Sequence, residues 1–200
     1  YNRLYLVDSE GGYPEALPLF EGELTSFSPD GGKIAYNRIA REYRTWKRYR
    51  GGMNQNLWTY DLKENKSEKL TEFEGTDAFP MWYGDMIYFI SDRDHTMNIY
   101  CYDLDTREIR KVTDHDEYDV KWPSLGGDAI VYENGGALYV LDLATEQTRK
   151  VSISVPSELN LRREAYIDAG RNMTTFGISP SGKRAVFGAR GDVFTVPAKK

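Results

Sequence analysis

Leu57-Trp58-Thr59-Tyr60-Asp61-Leu62 recurs as Ile99-Tyr100-Cys101-Tyr102-Asp103-Leu104 and again as Leu138-Tyr139-Val140-Leu141-Asp142-Leu143. Each copy is a run of strand-forming side chains closed by Asp-Leu, then a polar turn such as Lys63-Glu64-Asn65-Lys66 or Asp105-Thr106-Arg107. A short second strand follows, ending at Lys69-Leu70, Lys111-Val112 or Lys150-Val151. Ten residues after the aspartate stands Thr71, Thr113 or Ser152. Aromatic and β-branched residues on both sides of a polar reversal spell a β-hairpin. A looser copy opens the chain at Leu4-Tyr5-Leu6-Val7-Asp8, and another begins at Val193-Phe194-Thr195-Val196.

A different hairpin alternates with this one. Phe27-Ser28-Pro29-Asp30-Gly31 leads into Lys33-Ile34-Ala35-Tyr36, and Ile178-Ser179-Pro180-Ser181-Gly182 into Lys183-Arg184-Ala185-Val186-Phe187. Proline pre-sets φ at the second turn position and glycine completes the reversal. Tyr83-Gly84-Asp85 and Leu125-Gly126-Gly127-Asp128 fill the same slot. The repeat is therefore four strands, A to D. Its marker aspartates Asp8, Asp61, Asp103 and Asp142 are 53, 42 and 39 residues apart, and Pro197 takes the next equivalent place 55 residues on. Four antiparallel strands in roughly 40–50 residues predict an all-β chain, a β-propeller of four-stranded antiparallel blades. A two-layer sandwich has no reason to repeat its turns in order.

Whole blades are expected at about 20–71, 72–113 and 114–152, flanked by partial ones at 1–19 and 153–200. The ends duplicate a C strand instead of completing one blade. About four blades' worth of chain thus reads as part of a larger ring, the alternative being a small four-bladed ring with a redundant strand. From the start at Tyr1, without a methionine or signal-like segment, an excised piece is expected. Helical periodicity is confined to residues 157–169.

Composition narrows the function classes. The 200 residues include 15 Tyr, 8 Phe, 4 Trp and 18 Gly, which favours sheet over helix. No apolar run approaches the roughly 18 residues of a membrane span, so no membrane insertion is expected. Cys101 is the one cysteine, which excludes an internal disulfide framework or a thiolate zinc cluster. It lies in a C strand as a buried structural thiol. A net charge of −5 argues against nucleic acid as a partner. Cytoplasm and periplasm both stay open as compartments.

The search for chemistry yields little. His95 in Asp92-Arg93-Asp94-His95 and His115 in Asp114-His115-Asp116-Glu117 lie in polar connections without the spacing of a cation loop. There is no Gly-x-Ser-x-Gly elbow and no phosphate-cradling glycine loop. No catalytic residue, metal ligand or cofactor is predicted on this chain. Trp82 and Trp122 are read as equivalent residues at the ends of A strands, packing between blades.

Departures from the repeat carry the functional signal, since the repeat itself is occupied with packing. Two blades exceed the baseline by about a dozen residues each. One excess is the B–C connection from Arg38 to Gln55; the other is the D–A connection from Ile153 to Met173. Strands alternate in direction, so both connections are expected on one mouth of the ring. From Arg38 to Arg50 the first insertion has six basic residues and one acid, so the −5 divides into +5 on the loop and −10 elsewhere. Arg44, Trp46, Lys47, Arg48, Tyr49 and Arg50 interleave cations with aromatic rings, a pattern that can grip a peptide carboxylate or an acidic peptide. Read plainly, the same loop is a solvated hairpin extension packing on an acidic neighbouring domain. In the second insertion Arg162 and Arg163 are candidates for a carboxylate, or for surface salt bridges.

The Phe-Ser-Pro-Asp-Gly-x-Lys-Ile-Ala-Tyr hairpin resembles the propeller repeats of the TolB and tricorn-protease groups. With Thr45-Trp46-Lys47-Arg48-Tyr49-Arg50-Gly51-Gly52 followed by Leu57-Trp58-Thr59-Tyr60-Asp61-Leu62, the chain resembles the N-terminal, six-bladed propeller of the tricorn protease family over essentially its whole length. Phe79-Pro80-Met81-Trp82, Ile87 to Asp94 and Val131 to Gly136 fit the same family. The resemblance implies a large serine peptidase with two propellers, a PDZ domain and a C-terminal catalytic domain. That enzyme class cuts oligopeptides into very short products, its propellers acting as channels or filters in an oligomeric assembly. The nucleophile and its partners belong to the C-terminal domain, so none maps onto this chain, from which upstream blades and the downstream domains are missing. The implied role is a non-catalytic segment for peptide channelling and assembly, with oligopeptides and other domains or subunits as partners and a homo-oligomer as the full-length state. The alternatives are a TolB-like free-standing interaction propeller and the propeller of a prolyl-oligopeptidase-type enzyme.

Overall fold

Strand-forming runs separated by turn chemistry become strands wherever the sequence repeats. The structure, a computed structural model, describes residues 2–39, 47–156 and 164–199. It divides into two compact units, Tyr1–Ser152 and Ile153–Lys200. The first unit opens with a ribbon of β1 (Tyr5–Leu6) and β2 (Glu15–Ala16). Three antiparallel four-stranded sheets follow, each in simple sequence order. The first joins β3 (Glu23–Phe27), β4 (Lys33–Asn37), β5 (Leu57–Asp61) and β6 (Lys66–Lys69). The second joins β7 (Asp77–Tyr83), β8 (Met86–Ser91), β9 (Asn98–Asp103) and β10 (Ile109–Lys111). The third joins β11 (Val120–Gly126), β12 (Ala129–Asn134), β13 (Ala137–Asp142) and β14 (Thr148–Lys150).

Burial lies between successive sheets, which is how propeller blades stack. Side chains alternate across a strand, so in β8 Ile87 and Phe89 enter one cluster with Ala35 and Leu57 of the first sheet and Trp82 of their own. Their neighbours Tyr88 and Ile90 enter another, with Val120, Ile130, Tyr132 and Leu141 of the third sheet. In β9, Tyr100 and Tyr102 join the former cluster while Ile99 and Cys101 join the latter. A third cluster of Ile34, Tyr36 and Tyr60 is covered by Leu4, Leu17 and Leu19. The tyrosines suit this packing because the ring fills the core while the hydroxyl reaches its polar margin. Tyr36 donates to Ser67 Oγ (3.1 Å), Tyr60 to Asn65 Oδ1 (2.7 Å) and Tyr100 to Asp94 Oδ2 (2.9 Å). Cys101 is buried, and burial pushes its thiol up.

The marker residues have local duties. Asp61 Oδ1 accepts from the N–H groups of Lys63 and Glu64, Asp103 Oδ1 from Asp105 and Thr106, and Asp142 Oδ1 from Thr145. Each aspartate thereby closes its C–D turn, and those hydrogen bonds hold its carboxyl below the usual range. Thr71 Oγ1 accepts from Leu57 N and Thr113 Oγ1 from Ile99 N, both close to 3 Å. Asn56 and Asn98 complete a clasp: each accepts from that threonine and from a backbone N–H two residues beyond it, of Phe73 or His115. In the Ser28-Pro29-Asp30-Gly31 hairpin, Ser28 Oγ accepts from Lys33 N while Gly31 N donates to Ser28 O.

The first strand of each sheet carries a register shift, between Glu23 and Thr25, Ala78 and Met81, and Lys121 and Ser124. At each shift a large side chain sits on left-handed backbone: Leu24 (φ 49°), Phe79 (57°) and Trp122 (49°). The bulge corrects the expected tryptophan equivalence. Trp122 corresponds to Phe79, and the two rings meet edge to face at 5.8 Å. Trp82 corresponds to Leu125, is buried between the first two sheets, and donates Nε1–H to Gly84 O. Trp122 is 53% exposed.

The second unit is a three-stranded antiparallel sheet of β15 (Met173–Ile178), β16 (Arg184–Ala189) and β17 (Asp192–Pro197). A 3-10 turn at Ala169–Asn172 precedes it, capped by the Asp168 side chain accepting from Gly170 N. The helical periodicity anticipated from residue 157 falls largely on 157–163, outside the described residues.

Candidate functional site

The B–C insertion returns to the first sheet through residues 47–56, and its cations settle on neighbouring connections. Asp77 N donates to Gln55 O (2.9 Å), and Gln55 and Thr76 form a parallel bridge. Asn54 Nδ2 donates to Phe73 O. Asn37 Nδ2 donates to both Asn56 O and Asp77 O, tying the sheet to the next. The arm is thus seated on the 70–76 connection before its charges act.

Arg50 forms the deep contact. Its Nη1 donates to Asp92 Oδ2 at 2.8 Å, Asp92 is 1% exposed, and Thr76 N supplies Asp92 Oδ1 with a second donor. The guanidinium lies 5.2 Å from the Phe73 ring centroid, and Arg93 lies 4.5 Å from the same ring. Arg93 in turn pairs with fully buried Asp77 at 2.6 Å, and Ser91 Oγ donates to the other Asp77 oxygen. Burial pushes the Asp77 carboxyl up, opposed by Arg93 and Ser91. Gly75 makes the arrangement possible, because a Cβ there would fall within 3 Å of Arg50, Asp92 and Phe73 at once.

Lys47 and Arg48 form a shallower contact with Asp119. Lys47 Nζ is 2.7 Å from Oδ2, and Arg48 presents Nη1 and Nη2 at 3.4 and 3.3 Å. Met97 N donates to Asp119 Oδ1 at 3.0 Å. Burial raises the Asp119 pKa, but Lys47, the Met97 amide and Arg48 outweigh it and hold the carboxyl below its ordinary value. Arg48 has φ 59°, a left-handed backbone. Consecutive residues on extended chain point to opposite sides; this bend lets both side chains reach one carboxylate.

Of the candidates, Lys47, Arg48, Tyr49 and Arg50 fall in this arm, the three cations on acids of the second and third blades. Arg44, Trp46, Arg162 and Arg163 lie outside the described residues. Phe73, Asp92, Arg93 and Asp119 were not anticipated as site residues. The sequence signal available for them was that two acidic clusters bracket connections on the arm's own face. His115 stands in the connection that leads to Asp119. Its Nε2 is 3.0 Å from Tyr132 Oη, and its ring meets Tyr132 and Tyr139 edge to face. Burial lowers its pKa against the pull of Asp114 and Asp116. The ring borders a polar cavity of about 310 Å³ shared with Tyr118, Asn134 and Lys150. Among the described residues, no three His, Cys, Asp or Glu side chains gather where they could hold a metal ion.

Residues 1–147 match the family of tricorn protease N-terminal β-propeller domains. A tricorn protease homolog of Saccharolobus solfataricus is 26% identical over 97% of this chain, which spans 18% of that protein. The crystal structure of tricorn protease aligns with 96% of the chain at 21% identity and a TM-score of 0.59, the chain covering 24% of it. A TolB-type protein from Agrobacterium tumefaciens aligns with 73% of the chain at 21% identity and a TM-score of 0.60, covering 55% of that protein. At such identities the two structures report on fold alone.

Proposed function

Because the chain belongs to the family of tricorn protease N-terminal β-propellers, we propose that it is a non-catalytic propeller segment of a larger serine peptidase. In this reading it guides oligopeptides at the face where the basic arm lies, and packs against other domains or subunits of a homo-oligomeric enzyme. The observation that carries it is the exposed end of the arm. Two cations, Lys47 and Arg48, meet one carboxylate, leaving a surplus positive charge beside the aromatic Tyr49. A peptide carboxylate is the group that a guanidinium fork and an ammonium together select. Arg50 belongs to the scaffold of the site, because its partner Asp92 is buried.

The test is charge reversal at the exposed end in the full-length protein. With Lys47→Glu and Arg48→Glu combined, turnover of free-acid peptides falls about tenfold while the melting temperature stays within a few degrees. Unchanged turnover together with unchanged assembly, measured by sedimentation, would eliminate the reading.

A further inference from the structure

We propose, resting on the peptide-carboxylate reading above, that Asp119 is a built-in stand-in for the ligand. Its carboxylate occupies the place between Lys47 and Arg48 that a peptide carboxylate takes on binding, so that binding proceeds by exchange of one carboxylate for another. The geometry of the Arg48 pair points there. Its two N–O separations of 3.3 and 3.4 Å, one to each oxygen, have the parallel layout of a fork but are longer than the roughly 2.7–2.9 Å of a well-made charged hydrogen bond. Asp119 cannot close that gap freely, because the Met97 amide holds its Oδ1 from behind. A peptide terminus brings the same chemical group without that tether.

The two ends of the arm are built differently, which gives the exchange somewhere to happen. At Arg50 the partner is buried, a ring lies under the guanidinium, and Gly75 keeps the space tight. At Lys47 the side chain is 63% exposed, and the Asp119 side chain retains 14% exposure. Water and solutes therefore reach the carboxylate at the Lys47–Asp119 contact, whereas at the other end they reach the outer edge of Arg50 but not the 1% exposed Asp92. When a ligand displaces Asp119, the acid keeps the Met97 amide as partner and its exposed edge turns to solvent, so no buried charge is stranded. Arg50 meanwhile holds the arm in place.

The test compares the full-length wild-type chain with Asp119→Asn, which retains an acceptor for Met97 N and removes the charge. The probe is a fluorescein-labelled hexapeptide of D-residues, resistant to cleavage, with a free α-carboxylate or as its C-terminal amide, read by anisotropy at low salt. The free acid is expected to bind Asp119→Asn about three- to tenfold more tightly than wild type, while the amide changes less than twofold. Near-ultraviolet circular dichroism checks that the variant is folded. If the free acid is preferred to the amide in wild type, yet Asp119→Asn leaves it unchanged or weakens it, Asp119 is no competitor and the inference falls while the carboxylate reading stands. If both peptides bind both proteins alike, the carboxylate reading falls and takes the inference with it.

Discussion

Arg48 and Arg50 stand two residues apart on one arm, yet their ion pairs answer to different physics. Removing Arg50 leaves the buried Asp92 carboxylate without its counter-charge, a costly change. The contact of Lys47 and Arg48 with Asp119 is partly solvated and screened by salt, worth about 0.5–1 kcal/mol at low ionic strength. Its pH dependence has a definite sign. The folded pKa of Asp119 is depressed, so its ion pairs stabilise the protein above the unfolded value of about 3.9 and lose that contribution as pH falls through the folded value. The urea-midpoint difference between wild type and Asp119→Asn should therefore be present at pH 6 and close below about pH 4. A difference that persists undiminished to pH 2 contradicts the assignment. The arm itself was legible, because a +5 segment in an acidic chain is a local signal. Its partners were not: Asp92 and Asp119 lie 42 and 71 residues from their arginines, and only the stacking of sheets brings them together.

Among elements, the clasp at the start of the C strand shows what a spacing can and cannot reveal. The ten-residue interval from Asp103 to Thr113 is visible in the sequence, but its cause is that Thr113 Oγ1 receives the Ile99 amide of β9 while Asn98 grips the threonine and His115 N. Asn98 is fully buried. Asn98→Ala deprives the Thr113 hydroxyl and the His115 amide of their acceptor, so denaturant titration should show a loss of about 2–3 kcal/mol. The third sheet offers an internal control, since Ala137 takes the corresponding place there. A loss below about 0.5 kcal/mol, the scale of a surface substitution, would show that the clasp is replaceable. The tryptophan correspondence failed for a related reason. The hairpins align by their bulge residues Phe79 and Trp122 and by their turn glycines Gly84 and Gly127, and matching one tryptophan to the other by spacing alone set the strands out of step.

At the scale of the molecule, burial is concentrated in the middle sheet, whose strands β8 and β9 serve two cores at once. The three strands of the second unit bury Ala189 alone among their residues. Hydrogen exchange followed by mass spectrometry should rank the amides accordingly, with β8 and β9 at least about a thousandfold slower than β15–β17. Equal protection would contradict this distribution of stability. Order of sheets and turn positions could be read from the repeat because each copy writes them again. Which face of a strand meets which neighbour could not, since a run such as Ile87-Tyr88-Phe89-Ile90 is apolar on both sides. That double burial makes β8 sensitive to parity. Inserting or deleting one residue in it exchanges the occupants of two cores together, whereas an exposed outer strand such as β6 has little to exchange. Additional length is therefore best borne by the connections, and the basic arm lies in one of them.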